Sequence, residues 1–338
     1  MADEPALEEL LSRPTRPVVE AMGALGGDVL VLGAAGKMGP SLCRLATRAA
    51  AEAGVRARVT AVARFSDPGV RTTLEAVGVH TIECDLLDRP QVQRLPDAPN
   101  IVYMVGQKFG TTGDESRTWA VNVYVPAIVA ERFPQSRIVA FSTGNVYPLV
   151  SADGAGPTEA DAVGPVGEYA QSALARERVF EFFSRRNGTP VAILRLNYAV
   201  EPRYGVLRDL ADRVRGRRSV GLAMGWVNLI WQRDANASAL RCFAHAGVPP
   251  FLLNVTGKPA TSVRWLAEQF GRRFGIEPRF EGIERETALL SDASRAESLL
   301  GTPDVGLDEM VDRVAEWVEQ GGRSLGKPTH FEMREGRF

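Results

Sequence analysis

The sequence predicts an α/β fold, with a doubly wound parallel sheet and a smaller, mostly helical C-terminal domain. Three observations carry that prediction. Short apolar runs alternate with helical patterns from Val29 to Val255. Most of the runs are continuous rather than alternating, as expected for strands covered by helices on both faces. A glycine-rich bend joins the first run to the first long helix. At 338 residues the chain can bury one large core and a smaller second one.

Taken in order, Pro5–Leu25 reads as a short helix carrying Leu7, Leu10 and Leu11, a break at Pro14 and Pro17, and a second helix. Both helices are expected to pack outside the sheet. Val29–Leu32 is the first strand. Further strands are predicted at Arg58–Ala63, His80–Cys84, Ile101–Val105, Arg137–Phe141, Val191–Leu196 and Phe251–Val255. Helices are predicted between them at Val70–Val77, Arg89–Leu95, Glu115–Arg132, Glu168–Arg185 and Arg233–His245. After Glu201 the pattern changes. Helices at Leu207–Arg218, Ser262–Phe274, Ser291–Leu300 and Leu307–Gln320 cannot all pack in one sheet. They predict a substrate domain of residues 201–226 with 258–338, beside a sheet domain of residues 1–200 with 227–257. A substrate cleft is expected between the two.

Composition narrows the function. Lys plus Arg (40) balances Asp plus Glu (41), which argues against nucleic acid or an anionic membrane surface as partner. Cys43, Cys84 and Cys242 lie in apolar contexts without CxxC spacing, so buried thiols in a reducing compartment are expected. His80, His245 and His330 are scattered, and no metal site is expected. The N-terminus lacks the basic-then-apolar order of a signal peptide, and Glu20 and Asp28 interrupt the apolar region Val18–Ala35. A soluble, cytoplasmic protein is the expectation.

The bend Gly33-Ala-Ala-Gly-Lys-Met-Gly39 turns a buried strand into a helix, with glycines at 33, 36 and 39. Backbone N–H groups near Lys37 and Met38, with the positive end of the helix dipole, then face a phosphate. This is a Rossmann-type dinucleotide turn. In NAD-preferring proteins of that fold the second strand ends in an acid that binds the ribose 2′-OH. Here Ala63 and Arg64 occupy that place, and a guanidinium suits a 2′-phosphate, so NADP is expected, with NAD the alternative. Asp85 can accept from the adenine amino group while Leu86 covers the ring; a helix cap is the competing reading of Asp85.

From about Asp28 to Gly301 the chain resembles an extended short-chain dehydrogenase/reductase of the NAD-dependent epimerase/dehydratase family. The marks are the GxxGxxG turn, Cys84-Asp85-Leu86, Val105-Gly-Gln-Lys108, Asn122-Val, Ser142-Thr-Gly-Asn-Val-Tyr147, Glu168-Tyr-Ala-Gln-Ser172, Leu194-Arg-Leu-Asn197 and Asn254-Val-Thr-Gly257. The resemblance implies that Tyr169 is the acid/base and Thr143 its hydroxyl partner. It places Gly106 and Asn122 near the cofactor, and Asn197, Arg195 and Asn145 towards substrate. It also implies a homodimer through the helices at Glu115–Arg132 and Glu168–Arg185.

The family writes Tyr-x-x-x-Lys, and this chain has Ala173 in the lysine's place. Lys108 is the expected substitute cation, with Arg176 pointing elsewhere on the helix. Val227 stands where nucleotide-sugar enzymes carry a diphosphate-gripping arginine, and Gly144-Asn145 where the 4,6-dehydratases carry Asp-Glu. The expected function is therefore an NAD(P)-dependent oxidoreductase or epimerase acting on a polyhydroxylated sugar or sugar acid. A catalytically impaired NAD(P)-binding sensor is the alternative. Arg208, Arg213, Arg215, Arg217 and Arg218 read as a solvated helix face, and Trp226 and Trp231 as either a sugar platform or domain packing.

Overall fold

The computed structural model describes residues 3–108 and 113–336. A seven-stranded sheet forms its centre. The strands are β1 (Val29–Leu32), β2 (Val59–Ala63), β3 (His80–Glu83), β4 (Asn100–Tyr103), β5 (Arg137–Thr143), β6 (Val191–Leu196) and β7 (Phe251–Val255). Their order is β7-β6-β5-β4-β1-β2-β3, with every neighbouring pair parallel. The order reverses between β1 and β4, which opens a crevice at the strands' carboxyl ends. β1, β2 and β4 are buried along their whole length, which is why they read as unbroken apolar runs.

The helices are α1 (Glu4–Ser12), α2 (Arg16–Leu25), α3 (Gly39–Glu52), α4 (Pro68–Glu75), α5 (Arg89–Gln93), α6 (Glu115–Trp119), α7 (Val125–Arg132), α8 (Gly167–Asn187), α9 (Val206–Arg215), α10 (Gln232–Arg241), α11 (Val263–Phe274), α12 (Ser294–Leu300) and α13 (Leu307–Glu319). One face of the sheet shares a core with α2, α3 and α10, through Val18, Met22, Leu42, Leu45 and Leu240. The other packs against α7 and α8, through Ile128, Val129 and Phe180. A separate core joins α9, α11 and α13, through Leu210, Leu266, Phe270 and Val314.

Several expectations shift in detail. Pro17 is not part of the break before the second N-terminal helix; it sits in the first turn of α2, where no N–H is needed. Leu7 and Leu11 of α1 enter the C-terminal core rather than the sheet's. The single helix expected at Glu115–Arg132 contains a π-helical stretch, Ala120–Tyr124, ahead of Pro126, which has no N–H to give the helix ladder. The C-terminal half also holds two-residue ladders, such as Trp226–Val227 with Thr261–Ser262, too short to leave a periodic signal.

Candidate active site

The glycine turn is built by close approach. Gly33 has φ +85°, and a Cβ there would lie 2.9 Å from Val105 Cγ2. A Cβ at Gly39 would lie 2.2 Å from Ala34 O, so only glycine lets α3 begin against the turn. The N-terminus of this fourteen-residue helix thus opens onto the crevice.

The crevice has two lobes. One, of about 660 Å³, is lined by Ala63, Arg64, Ser66, Asp85 and Leu86. The other, of about 640 Å³, is lined by Lys37, Met38, Thr143, Asn145, Tyr169 and Asn197. Gly33, Gly36, Val105, Gly106 and Lys108 border both, which makes them one continuous cleft. A cradle that a Cβ would fill, a helix N-terminus and two lobes on either side suit a dinucleotide. Asp85 lines the cleft and is not the helix cap: its carboxylate accepts from the Leu87 N–H at 3.0 Å in a local turn, while Asp88 caps α5 by accepting from the Gln91 N–H at 3.0 Å.

β5 and α8 meet at the second lobe. Thr143 ends β5; its hydroxyl donates to Asn145 Oδ1 at 2.9 Å and accepts from the Asn145 N–H at 3.2 Å. Tyr169, in the first turn of α8, shares a hydrogen bond with Thr143. Burial pushes the Tyr169 phenol up, while the Arg176 charge and the Thr143 hydrogen bond pull it down, with burial winning. Ala173 is fully buried against Val146 and Tyr147, so no cation occupies the family's lysine position. Lys108 Nζ lies 5.9 Å from the centre of the Tyr169 ring, and burial lowers it to about 8, opposed by Asp209 and Glu332. Lys37 Nζ sits 3.5 Å over the Tyr204 ring. Burial, then Lys108 and Lys327, lower Lys37 to about 7, against Asp209.

Two expected site residues do not line the cleft. Arg195 is 2% exposed and forks onto Glu177, with Nη2 to Oε2 at 2.7 Å, while Nη1 donates to the Tyr147 hydroxyl at 2.8 Å. Its charge is spent inside the protein, so it faces no substrate. Asn122 is fully buried in the π-helical stretch. It accepts from the Gln107 N–H at 2.8 Å and donates to Gln107 O at 3.0 Å and Ser172 Oγ at 2.9 Å. It therefore shapes the loop after β4 from behind.

Arg176 is a correction in the other direction. Tyr169, Ser172, Ala173 and Arg176 follow the i, i+3, i+4, i+7 spacing of one helix face, and Arg176 lines the cleft. Sequence reading also missed Tyr198, Tyr204 and the segment Gly326–His330, all of which line the second lobe. That segment has no periodicity, but Asp209 holds it by accepting from the Thr329 N–H at 2.8 Å and its hydroxyl at 2.6 Å. The arginines of α9 anchor the same tail: Arg208 donates to Gly322 O and Arg323 O, and Arg213 pairs with Glu332 at 3.0 Å. Arg215, Arg217 and Arg218 are exposed, as expected of a solvated face; Arg208 and Arg213 are not part of it. Trp231 is fully buried in the C-terminal core, with Trp226 packed against it, so this pair serves packing. Among the described residues no His/Cys/Asp/Glu cluster could hold a metal ion, and no helix is long and apolar enough to cross a membrane.

A family profile described as "NAD dependent epimerase/dehydratase family" matches residues 29–219, more than half of the chain and the whole of the glycine turn and the Tyr169 helix. The chain belongs to that family. As a member it is an enzyme of the extended short-chain dehydrogenase/reductase type, and the missing lysine at Ala173 is a departure within the family rather than evidence against it. No curated protein matches the chain. Among solved structures it is similar to UDP-glucose 4-epimerase from Thermotoga maritima, at 19% identity and TM-score 0.71 over 87% of this chain and 99% of that one. It is also similar to UDP-glucuronic acid 4-epimerase from Bacillus cereus in complex with UDP-glucuronic acid and NAD, at 17% identity and TM-score 0.72 over 87% and 99%. MoeE5 in complex with UDP-glucuronic acid and NAD gives 22% identity and TM-score 0.71 over 87% and 100%. At these identities the likeness establishes the fold.

Proposed function

We propose that this epimerase/dehydratase family member is an NADP(H)-using oxidoreductase or epimerase that acts on a sugar or sugar acid. The observation that carries the reading is the hydrogen-bonded Tyr169–Thr143 pair, standing in the cleft beside the glycine turn. When bound, the nicotinamide supplies the hydride acceptor and donor. As the tyrosinate, Tyr169 would take the proton of a carbinol O–H while the carbinol C–H gives its hydride to the nicotinamide and becomes a carbonyl; as the phenol, it returns that proton in the reverse direction. Thr143 holds the same oxygen, and Asn145 holds Thr143. Asn197, which lines the lobe beside them, is placed to bind a further substrate hydroxyl. Survival of the pair argues against a purely regulatory, cofactor-sensing protein.

The neighbours' complexes with UDP-glucuronic acid support a sugar-acid substrate. One residue speaks against a nucleotide sugar. Val227, in the place of the diphosphate-gripping arginine, is fully buried in the C-terminal core. For the cofactor, exposed Arg64 with Ser66 at the adenosine lobe supports NADP, and the neighbours' NAD makes NAD the competing outcome. Lys108, bordering both lobes, is assigned to cofactor and substrate oxygens. The substrate is assigned to the space between the sheet domain (residues 1–200 with 227–257) and the C-terminal unit (201–226 with 258–338).

A homodimer is part of the proposal, supported by exposed Trp119, Tyr124 and Phe182 on the segments Glu115–Arg132 and α8; native mass in solution checks it, and a monomer removes it. The free, buried cysteines 43, 84 and 242 support a reducing, cytoplasmic compartment. The function is tested by mixing the purified protein with NADP⁺ or NAD⁺ and a panel of sugars, sugar acids, UDP-glucose and UDP-glucuronic acid. Cofactor reduction or product epimerisation with a panel member is expected; cofactor binding without either would favour the sensor.

A further inference from the structure

Arg176 is 5% exposed, yet among the described residues no carboxylate pairs with it. Its Nη1 donates to Phe141 O and its Nη2 to Asn122 Oδ1, each at 2.9 Å. Both acceptors are neutral, so the positive charge is held in place without being cancelled. The Nε is buried without a hydrogen-bond partner. A buried charge lacking a counter-ion is costly, and such a group is retained where its field or its hydrogen bonds are used.

The position of that charge is specific. Arg176 follows Tyr169 by two helical turns on the same face of α8, one turn beyond the buried Ala173. A methyl group on Gly106 would sit 3.0 Å from Arg176 Nη2, so the guanidinium lies directly under the loop that leads to Lys108. The same arginine, Asn122 and Ser172 form a chain of hydrogen bonds to both sides of the Gln107 peptide. The loop after β4 and the Tyr169 helix are thereby tied together through one cation.

We propose that Arg176 does the work of the absent lysine, supplying the fixed positive charge beside Tyr169 and locking the Gly106–Lys108 loop of the cofactor site. The proposal rests on the reading of Tyr169 as acid/base. Arg176 is a positioning residue: it acts through Tyr169 and the loop. Its field opposes the upward push of burial on two phenols, Tyr169 and Tyr103. The other groups facing Tyr169 are Thr143 from β5, Lys108 from the loop after β4, and Tyr204 from the segment before α9.

The test is an ionisation measurement that needs no substrate, so it is separable from failure of the sugar reading. Tyrosinate absorbance is titrated in the full-length protein, and the Tyr169 component is taken by difference from Tyr169→Phe. In Arg176→Met and Arg176→Gln the Tyr169 midpoint is expected to rise by about one pH unit. Arg176→Lys keeps the charge and is expected to hold the midpoint within about 0.3 unit of the wild type. Where a panel substrate is turned over, the pH profile of single-turnover hydride transfer moves with these midpoints. Should Arg176→Met fail to fold, the contrast between the Gln and Lys variants decides alone. Equal midpoints in those two, or a larger shift in Lys108→Met than in either uncharged Arg176 variant, would overturn the proposal.

Discussion

Two arginines are buried near α8 and are held in opposite ways. Arg195, on β6, forks onto Glu177 and is electrically cancelled where it stands. Arg176, the residue next to Glu177, is fixed by a backbone carbonyl and a side-chain amide and keeps its charge. The first site is architecture: it ties β6 to α8 and aligns Tyr147, whose hydroxyl donates to Asn254 Oδ1 at 2.9 Å. The second faces the cleft. The difference shows that burial alone does not tell a structural cation from a functional one; the partner does.

The largest effect that can break this comparison is on stability. Glu177→Ala strands the Arg195 charge in the core and is expected to cost about 3–5 kcal/mol. Arg176→Met strands no carboxylate and is expected to cost less, about 1–3 kcal/mol, the range for leaving a buried acceptor such as Phe141 O without its donor. Denaturant midpoints of the two variants check the ranking, and equal losses would contradict it. At the adenosine lobe, Arg64→Ala is expected to weaken NADP⁺ by about 1.5–3 kcal/mol, the range for hydrogen bonds to a charged group, and to leave NAD⁺ unchanged. Calorimetric titration of both cofactors reads this directly, and equal weakening of the two would remove the 2′-phosphate assignment.

The smallest predicted effect is the pH dependence of Lys37. Without cofactor it sits at about 7, against an ordinary value of 10.5, so at pH 8 it is mainly neutral. A bound pyrophosphate favours the charged form, so binding at pH 8 takes up a proton. Affinity should therefore fall by up to about tenfold per unit as pH rises through this range, and Lys37→Met should flatten the slope. For the protein without cofactor the sign is the opposite. The folded chain holds fewer protons than the unfolded one between about 7 and 10.5, so Lys37 makes stability rise with pH across that window. A slope for cofactor affinity that is the same in wild type and Lys37→Met would place the lysine outside the phosphate site.

Much of the sheet domain could be read from the sequence because its signals are local. Buried strands are apolar runs, and the glycine turn is a contiguous bend; the strands Val191–Leu196 and Phe251–Val255 have the predicted limits. Tyr169 and Thr143 could be placed at one cleft because each lies at the end of an element that converges there. What could not be read depends on partners distant in sequence. Arg195 and Glu177 are eighteen residues apart, and nothing in either neighbourhood announces their pairing. Arg176 lies on the Tyr169 face by helical periodicity, and the spacing of seven is the signal that the sequence carries for it. The tail at Gly326–His330 reaches the cleft only because Asp209 and Arg213, over a hundred residues earlier, hold it there.

Tyr169 is proposed to move a proton in step with hydride transfer at this cleft. Single-turnover absorbance of the nicotinamide, for wild type and Tyr169→Phe with the panel substrate that reacts, tests it most directly. Tyr169→Phe is expected to bind cofactor as the wild type does and to lose roughly 10²–10⁴-fold in the rate of hydride transfer. A Tyr169→Phe variant that transfers hydride at the wild-type rate would contradict it.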